Sequence, residues 1–339
     1  MVDVRFGWAV PTFGGGGDSH IDTPCVERVD RSIYEAVANV AVLCEELGYD
    51  SVWLADHVTL CGDRGILECW TTLCALASLT KKVRLGTLGL TNEWRHPSIA
   101  AKMAATLDVI SGGRLDYGVK AVWSLLSAGG GGSEHLAYGL PWPGNTRERV
   151  KQITEALIIA KRMWTEDRPS FKGKYYEVRE AICEPKPLQK PHPPIWVEGA
   201  EEEFTLRMLA EHGDGWNYVG SVELYKHKLG VLMKHCSDIG RSLASIRVSW
   251  FGHVVTGRTK HDVKALIRLI KEESPRYPLN YEEGDGFMKE NLVGTVDDVI
   301  KRIDAFIDVG VQDFMLWFLD FPSTNTIRFF AENVLPSFK

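Results

Sequence analysis

The stretch VRLGTLGLTNEWRHPSIAAKMAATLDVISGGRLDYGV, residues 83–119, decides the fold. It begins with an apolar run typical of a buried strand and continues through a polar loop to Pro97, a residue favoured in the first turn of a helix. The predicted helix runs to about Ile110, Ser111-Gly112-Gly113 ends it, and residues 114–119 predict the next strand. A helix between two buried strands is a βαβ unit, which implies parallel neighbours in a sheet.

The same alternation of strand and helix continues through the whole chain. Eight segments have strand character: residues 4–10, 51–55, 83–90, 114–119, 194–198, 215–219, 246–255 and 311–318. A helical segment follows each of them, which predicts an α/β protein of the (β/α)8 TIM-barrel class. The alternative is an open doubly wound sheet, but the glycines at 14–17 do not have the spacing of a dinucleotide-binding turn.

The composition excludes several classes of function. The 339 residues are 45% hydrophobic and 25% charged, with a net charge of -6, as expected of a soluble globular protein that binds neither nucleic acid nor an anionic membrane. No apolar run is long enough to span a bilayer, and no signal peptide is evident. The 7 cysteines show no C-x-x-C pair, which favours reduced, buried thiols in a cytoplasmic protein.

Three stretches are additional to the strands, helices and short loops that a minimal barrel requires. We predict them to be insertions in a single domain that spans residues 1–339. Residues 124–145 are rich in Gly and Pro and predict a long loop over one end of the barrel. Residues 168–193 predict a short hairpin and a Pro-rich return, and residues 274–290 predict a lid. Loops of this length are usually functional or disordered.

Candidate site residues lie where strands end, because barrel active sites form at the carboxyl ends of strands. Asp56 and His57 end the second strand and could position a ligand or move a proton; the alternative is a surface pair that caps the next loop. Residues 89–92 (Gly89, Leu90, Thr91, Asn92) end the third strand, where glycine allows close approach of a ligand or simply forms a turn.

Other polar residues near strand ends have plainer interpretations. Arg95-His96-Pro97 could bind an anion at a helix start, but a helix cap with an arginine ion pair is the stronger interpretation. Glu134 and Tyr138, in the loop after the fourth strand, could close over a bound ring or be solvated. No metal-ligand spacing, phosphate-binding loop or serine-nucleophile motif occurs.

Segments along nearly the whole chain resemble the bacterial-luciferase-like oxidoreductases. They are LGYDSVWLADH, ECWTTLCALASLT, residues 83–114, EHLAYGLPWP, FKGKYY, PKPLQKPHPPIWV and GDGWN. The subgroup that depends on the deazaflavin coenzyme F420 is the most similar, especially at ECWTTLCALASLT and HKLGVLMKHCSDIGR. The resemblance implies a (β/α)8 barrel, commonly a homodimer, with the cofactor tricycle across the strand ends.

The resemblance also implies roles for individual residues. Asp56-His57 match the pair near the reactive face of the cofactor, and Gly89-Leu90 match a bulge behind the ring that often contains a non-proline cis peptide. Glu134 and Tyr138 match loop residues near the cofactor. Asp56 and His57 are therefore the predicted catalytic residues, and the predicted cofactor-binding residues include Gly89, Leu90, Thr91, Asn92, Glu134 and Tyr138.

Two glycine loops depart from the family pattern. Where relatives show G-x-G-x-G-W, this chain has Gly118 and then Lys120; where they show G-G-x-G, it has residues 198–201, Glu-Gly-Ala-Glu. We include Gly118, Lys120, Gly199 and Ala200 among the cofactor-binding residues. Added carboxylates should repel a cofactor phosphate unless a cation intervenes; Lys120 could be that cation, or a rim lysine paired with a glutamate.

Three functions remain open at this point. The first is hydride transfer between F420 and a small organic substrate, the second is an FMN-dependent monooxygenase that uses reduced flavin and oxygen, and the third is a cofactor-free homologue with a binding or structural role. The altered loops favour the third, whereas Asp56-His57 and Gly89-Leu90 favour the first two.

Overall fold

A computed structural model describes residues 3–11, 29–59, 65–120, 132–142, 145–273 and 286–339. The described chain alternates strands and helices in the predicted order. The strands are β1 (Arg5–Val10), β2 (Ser51–Ala55), β3 (Arg84–Leu88), β4 (Leu115–Lys120), β5 (Phe171–Lys172), β6 (Glu177–Val178), β7 (Ile195–Glu198), β8 (Gly215–Tyr218), β9 (Arg247–Gly257), β10 (Leu292–Thr295) and β11 (Asp313–Phe318). The helices are α1 (Arg31–Glu46), α2 (Cys69–Leu79), α3 (Pro97–Ser111), α4 (Gly132–Ala137), α5 (Thr146–Thr165), α6 (Thr205–His212), α7 (Val222–Asp238), α8 (Lys260–Glu273), α9 (Gly286–Glu290), α10 (Val296–Asp308) and α11 (Asn325–Asn333).

Eight parallel strands close into a barrel, which confirms the predicted (β/α)8 fold. Their order is β1, β2, β3, β4, β7, β8, β9 and β11, and β11 returns to pair with β1 through Arg5 and Asp313. β10 is a further parallel strand, paired with the carboxyl half of β9 from Leu292↔Val254 to Thr295↔Gly257. The sequence analysis did not predict β10, although it did predict β7 and β8, which have the same length.

Large and small residues alternate inside the barrel. Trp53 and Trp196 meet edge to face, with ring centroids 5.4 Å apart, and Met315 packs against the same cluster. Gly86 and Gly215 make room for the two indole rings, because a Cβ at either glycine would overlap the ring beside it. The barrel is therefore filled with side chains, as this fold requires, and a ligand can enter only at its ends.

Helix starts and ends follow local hydrogen bonding. From sequence, the apolar pattern predicts that α2 starts at Ile66. Glu68 instead caps the helix by accepting from the backbone N–H groups of Trp70 and Thr71, so α2 begins three residues later, at Cys69. His96 caps α3 at the residue before Pro97, which confirms the capping interpretation of that segment. α3 ends at Gly112, whose φ of 73° suits the left-handed end of a helix.

The insertions agree with the prediction in part. β5 and β6 form the expected antiparallel hairpin within residues 168–193. Residues 124–145, predicted to be a loop, contain α4; the part of the predicted lid at 274–285 lies outside the described residues, and α9 covers its end. No helix in the described part of the chain is both long and apolar enough to cross a membrane.

Candidate active site

The carboxyl end of β3 forms a bulge at Gly89. Gly89 has a φ of 71°, and after it Leu90 pairs again with β4, donating to Gly118 O at 2.9 Å and accepting from Lys120 N at 3.1 Å. The hydroxyl of Thr87 bridges the interrupted ladder, since it donates to Gly118 O at 2.9 Å and accepts from Gly118 N at 2.8 Å. The chain therefore has a bulge at Gly89-Leu90, where the resemblance implied one.

The peptide bond at this bulge differs from the expectation. All cis peptide bonds found among the described residues precede a proline, so Gly89-Leu90 does not have the cis bond that the resemblance implied. The positive φ of Gly89 turns the chain instead, and glycine tolerates it without the steric cost that a Cβ brings. A Cβ at Gly89 would also overlap Glu198 Oε2 and lie 2.8 Å from Lys120 Cβ.

Asp56, at the end of β2, is buried and held in place on both sides. Its carboxylate accepts two hydrogen bonds from the Arg95 guanidinium, at 2.9 and 3.1 Å, and one from Thr91 N at 3.0 Å. Arg95 also pairs with Glu68 at 2.8 Å and so connects the end of β2 to the start of α2. Burial raises the pKa of Asp56, and Arg95 opposes that shift. Asp56 is thus not the surface loop cap that one interpretation of the sequence allowed.

The buried Glu134 and the partly buried His57 and Lys120 form a row beside Asp56, which we call the His57 row. Glu134 Oε1 lies 2.9 Å from His57 Nδ1, and Lys120 Nζ lies 3.4 Å from His57 Nε2. Burial lowers the pKa of His57 well below its usual value, and the Lys120 charge adds to the effect. Burial raises the pKa of Glu134 to about 8, although Lys120 and the Val58 N–H oppose it and Asp56 adds to it.

A second carboxylate lies opposite Lys120 on the neighbouring strand β7. Glu198 is the register partner of Lys120 on β7, and burial raises its pKa while Lys120 opposes the shift. Glu198 Oε2 has no hydrogen-bond partner among the described residues, and neither have Glu134 Oε2 and Asn217 Nδ2. The carboxyl end of the barrel therefore contains one lysine among several carboxylates, with both donors and acceptors left unsatisfied.

The glutamates after β7 are used internally. Glu201 accepts from the backbone N–H groups of Glu203, Phe204 and Thr205 at 2.9, 2.8 and 3.1 Å, which places its carboxylate on the amino end of α6. Glu202 pairs with Lys228 at 2.6 Å and His227 at 2.8 Å on α7. N–H groups thus offset the charge of Glu201, one of the carboxylates that the sequence suggested would repel a phosphate, and cations offset the charge of its neighbour Glu202.

The other predicted site residues lie at the rim. Asn92 donates to the Tyr176 hydroxyl at 2.8 Å and so faces the β5–β6 hairpin. The Tyr138 hydroxyl donates to Val58 O at 3.4 Å, while more than half of the side chain is exposed. Gly199, with a φ of 118°, donates to Asn217 O and accepts from the Trp216 indole, and Ala200 follows it half-buried. The structure brings His57, Glu134, Lys120 and Gly89 together and leaves Asn92 and Ala200 farther out.

Sequence reasoning missed His253. It lies on β9, two residues apart from Phe251 on the inward face, and its Nδ1 lies 3.1 Å from Asn291 Oδ1. Burial lowers its pKa to about 4. Side chains alternate between the two faces of a strand, so residues 249, 251 and 253 of β9 share one face. This alternation could have identified His253 from sequence. No cluster of His, Cys, Asp or Glu with the geometry of a metal site occurs in the described residues.

The amino-acid sequence that forms this barrel and its polar cluster matches a known protein family. The family model for luciferase-like monooxygenases matches residues 4–313. The chain belongs to this family. It is therefore an enzyme of the luciferase-like oxidoreductase class, as the recurring sequence segments indicated.

Curated relatives divide between two cofactors. The F420-dependent glucose-6-phosphate dehydrogenase of Microbacterium testaceum is 28% identical over 87% of this chain and 90% of that protein. The FMNH2-dependent dimethylsulfone monooxygenase of Pseudomonas putida is 27% identical over 98% of this chain and 94% of that protein. Among solved structures, the F420-dependent tetrahydromethanopterin reductase of Methanopyrus kandleri superimposes with a TM-score of 0.77 at 19% identity, covering 99% of this chain and 100% of that one, which supports the fold.

Proposed function

We propose that this luciferase-like enzyme transfers hydride between coenzyme F420 and a small organic substrate. The observation that carries the proposal is the His57 row, a set of polar side chains in contact with one another beside the Gly89 bulge at the carboxyl end of the barrel. Buried titratable groups with displaced pKa values cluster at functional sites. Relatives named as F420-dependent dehydrogenases support F420 as a candidate cofactor.

The residues present fit the ring of such a cofactor. A deazaflavin or flavin ring carries an imide N–H and two carbonyl groups. Glu198 Oε2 is a buried acceptor without a hydrogen-bond partner among the described residues, and Asn217 Nδ2 is a buried donor that likewise has none among them. We infer that these groups and His57 would hold the ring, which supplies the hydride chemistry when bound.

The phosphate of F420 or FMN would need an anion-binding site of its own. In a glycine loop, free backbone N–H groups make an anion site. Here the Glu201 carboxylate accepts from the three N–H groups at the start of α6. We therefore propose that the ring carries most of the recognition and that the α6 end does not take the phosphate.

The second candidate is an FMN-dependent monooxygenase. The dimethylsulfone monooxygenase from P. putida covers 98% of this chain at nearly the same identity as the dehydrogenase, so similarity alone favours neither cofactor. The same buried groups would contact either ring. The choice rests on a binding measurement.

The test is a fluorescence titration of the purified chain with F420, FMN and riboflavin, each oxidised and, under nitrogen, chemically reduced. Saturable binding of F420 supports the proposal, and binding of FMN alone supports the monooxygenase. Riboflavin lacks the phosphate, so equal affinities for riboflavin and FMN would support recognition through the ring. Binding of neither cofactor in either state would overturn both candidates and favour the cofactor-free alternative.

The assembly and location implied by the family also belong to this proposal. We propose a cytoplasmic homodimer that acts on a small molecule and binds neither nucleic acid nor membrane. Light scattering after size-exclusion chromatography tests the dimer, because a monomeric mass at working concentration would contradict it.

A further inference from the structure

The His57 row fixes the positions of its own hydrogens. A protonated lysine has three donors and no acceptor, so in its contact with His57 Nε2, 3.4 Å away, Lys120 Nζ is the donor. A neutral imidazole that accepts at Nε2 carries its hydrogen at Nδ1. Nδ1 then donates to Glu134 Oε1 at 2.9 Å. The lysine at the end of β4 thereby sets the histidine tautomer and makes Oε1 an acceptor.

This arrangement leaves the other carboxyl oxygen of Glu134 available. Glu134 is 4% exposed; the Val58 N–H faces its carboxyl group, but no described residue makes a hydrogen bond with its Oε2. Since Oε1 accepts from the histidine, a proton bound to Glu134 resides on Oε2. The buried environment that raises the Glu134 pKa to about 8 keeps this proton in place near neutral pH.

We propose that Glu134 exchanges a proton with the substrate through Oε2, and that Lys120 and His57 are positioning residues that aim it. The inference rests on the proposed function. A carbonyl carbon of the substrate would accept hydride from the reduced cofactor, and the C=O π electrons would move to the carbonyl oxygen. The Oε2–H bond of Glu134 then breaks, its electron pair stays on the carboxylate, and the proton bonds to that oxygen. In the reverse direction Oε2 takes that proton as the hydride leaves.

The charges that face Glu134 suit this exchange in both directions. His57 Nδ1–H and the Lys120 charge stabilise the carboxylate once the proton has left. Asp56 has the opposite effect, but Arg95 binds its carboxylate with two hydrogen bonds. His57, with a pKa well below its usual value, holds no second proton near neutral pH. Glu134 is thus the better proton donor of the two.

The first test measures the tautomer in the protein without any cofactor. In ¹⁵N-labelled protein near neutral pH, we expect His57 to carry its hydrogen at Nδ1. Lys120→Met removes the donor that faces Nε2 and should shift His57 toward the Nε2–H form, whereas Lys151→Met, at an exposed lysine on α5, should not. An Nε2–H ring in the unmodified chain would overturn the inference.

The second test measures the proton on Glu134 itself. Infrared difference spectra across neutral pH should show a protonated carboxylic acid that Glu134→Gln abolishes and Glu198→Gln leaves in place. An unchanged band in Glu134→Gln would overturn the inference. Neither test needs cofactor or substrate, so a failed cofactor titration with both expected results would count against the proposed function alone.

Once a substrate is known, its turnover gives a further test of Glu134. Glu134→Gln should lower kcat by about 10²–10⁴-fold, the usual contribution of a general acid. Lys120→Met should instead displace the pH profile, which a purely structural lysine would not do. An unchanged kcat in Glu134→Gln would overturn the proposal.

Discussion

The functional meaning of His57 depends on a residue far from it in the chain. Its place after β2 made it a candidate from sequence, but Glu134 lies 77 positions later, in a helix that no pattern predicted. Barrel topology brings the two together, because the ends of β2 and β4 meet at the same face. A sequence read in one dimension shows each partner but not the hydrogen bond between them.

The raised Glu134 pKa makes stability depend on pH. A folded-state pKa of about 8, against 4.5 for the unconstrained group, means that near neutral pH the folded chain holds a proton that the unfolded chain has released. Stability is therefore lost as pH rises from about 4.5 to about 8, and the loss levels off above that range. Between about pH 7 and 9, we expect the unmodified chain to lose about 1 kcal/mol of unfolding free energy relative to Glu134→Gln.

Urea unfolding at several pH values measures this difference. His57 does not interfere, since its pKa is lowered and the unfolded histidine is already neutral above pH 7. Glu177→Gln, at a largely exposed glutamate of the β5–β6 hairpin, serves as the control and should follow the unmodified chain. Parallel pH curves for the unmodified chain and Glu134→Gln would contradict the prediction.

A comparison of alanine variants at Gly89 and Gly112 distinguishes the cost of backbone strain from the cost of steric crowding. Both have a positive φ, 71° and 73°, but a Cβ at Gly89 would overlap Glu198 Oε2, whereas one at Gly112 meets nothing within 4 Å. Gly112→Ala should cost about 1–2 kcal/mol of unfolding free energy from strain alone. Gly89→Ala should cost more and should also weaken cofactor binding. Equal losses in urea unfolding would show that the bulge has room.

At the scale of elements, the boundaries that sequence predicted well are those with a visible signal. β2 begins and ends at the predicted residues, and α3 has Pro97 at its start and Gly112 at its end. α2 starts late because the Glu68 carboxylate caps it, and a glutamate is a less familiar cap than serine or aspartate. α4, only six residues long and set in a glycine-rich stretch, had no comparable signal.

The start of α6 provides a prediction about an element and its cap. Glu201→Ala removes the acceptor for three N–H groups and should cost about 1 kcal/mol of unfolding free energy. It should also expose an anion site, so that inorganic phosphate raises the Tm of the variant but not of the unmodified chain. The exposed neighbour Glu203 offers the control Glu203→Ala. Equal effects of phosphate on the Tm values of all three proteins would contradict an anion site at α6.

For the molecule as a whole, the sequence predicted the barrel but not how its interior is filled. Eight alternating segments were enough to choose a closed barrel, because alternation and strand number are one-dimensional properties. The pairing of Trp53 with Gly86 and of Trp196 with Gly215 is a property of strand register, which a single sequence does not reveal. The same holds for Lys120 and Glu198, which β4 and β7 bring together.

The filled interior predicts a cost for added volume. Gly86→Ala places a methyl group against the Trp53 ring and should lower the unfolding free energy by about 1–3 kcal/mol. Gly230→Ala, in α7 and with open space around its Cβ position, should instead raise it by up to about 1 kcal/mol, because alanine favours helix. Thermal and urea unfolding would show whether each variant has a lower or higher unfolding free energy than the unmodified chain. A stabilising Gly86→Ala would show that the interior has spare volume.

The pairing of β1 with β11 has a consequence for how this protein is made in the cell. A ribosome releases Arg5 long before Asp313, yet these residues are register partners. Until β11 emerges, the nascent chain can form at best an open sheet whose first strand has one exposed edge. Such edges invite pairing with other chains. Synthesis therefore has a vulnerable interval that ends only when β11 joins β1, and chaperones would be most useful during that interval.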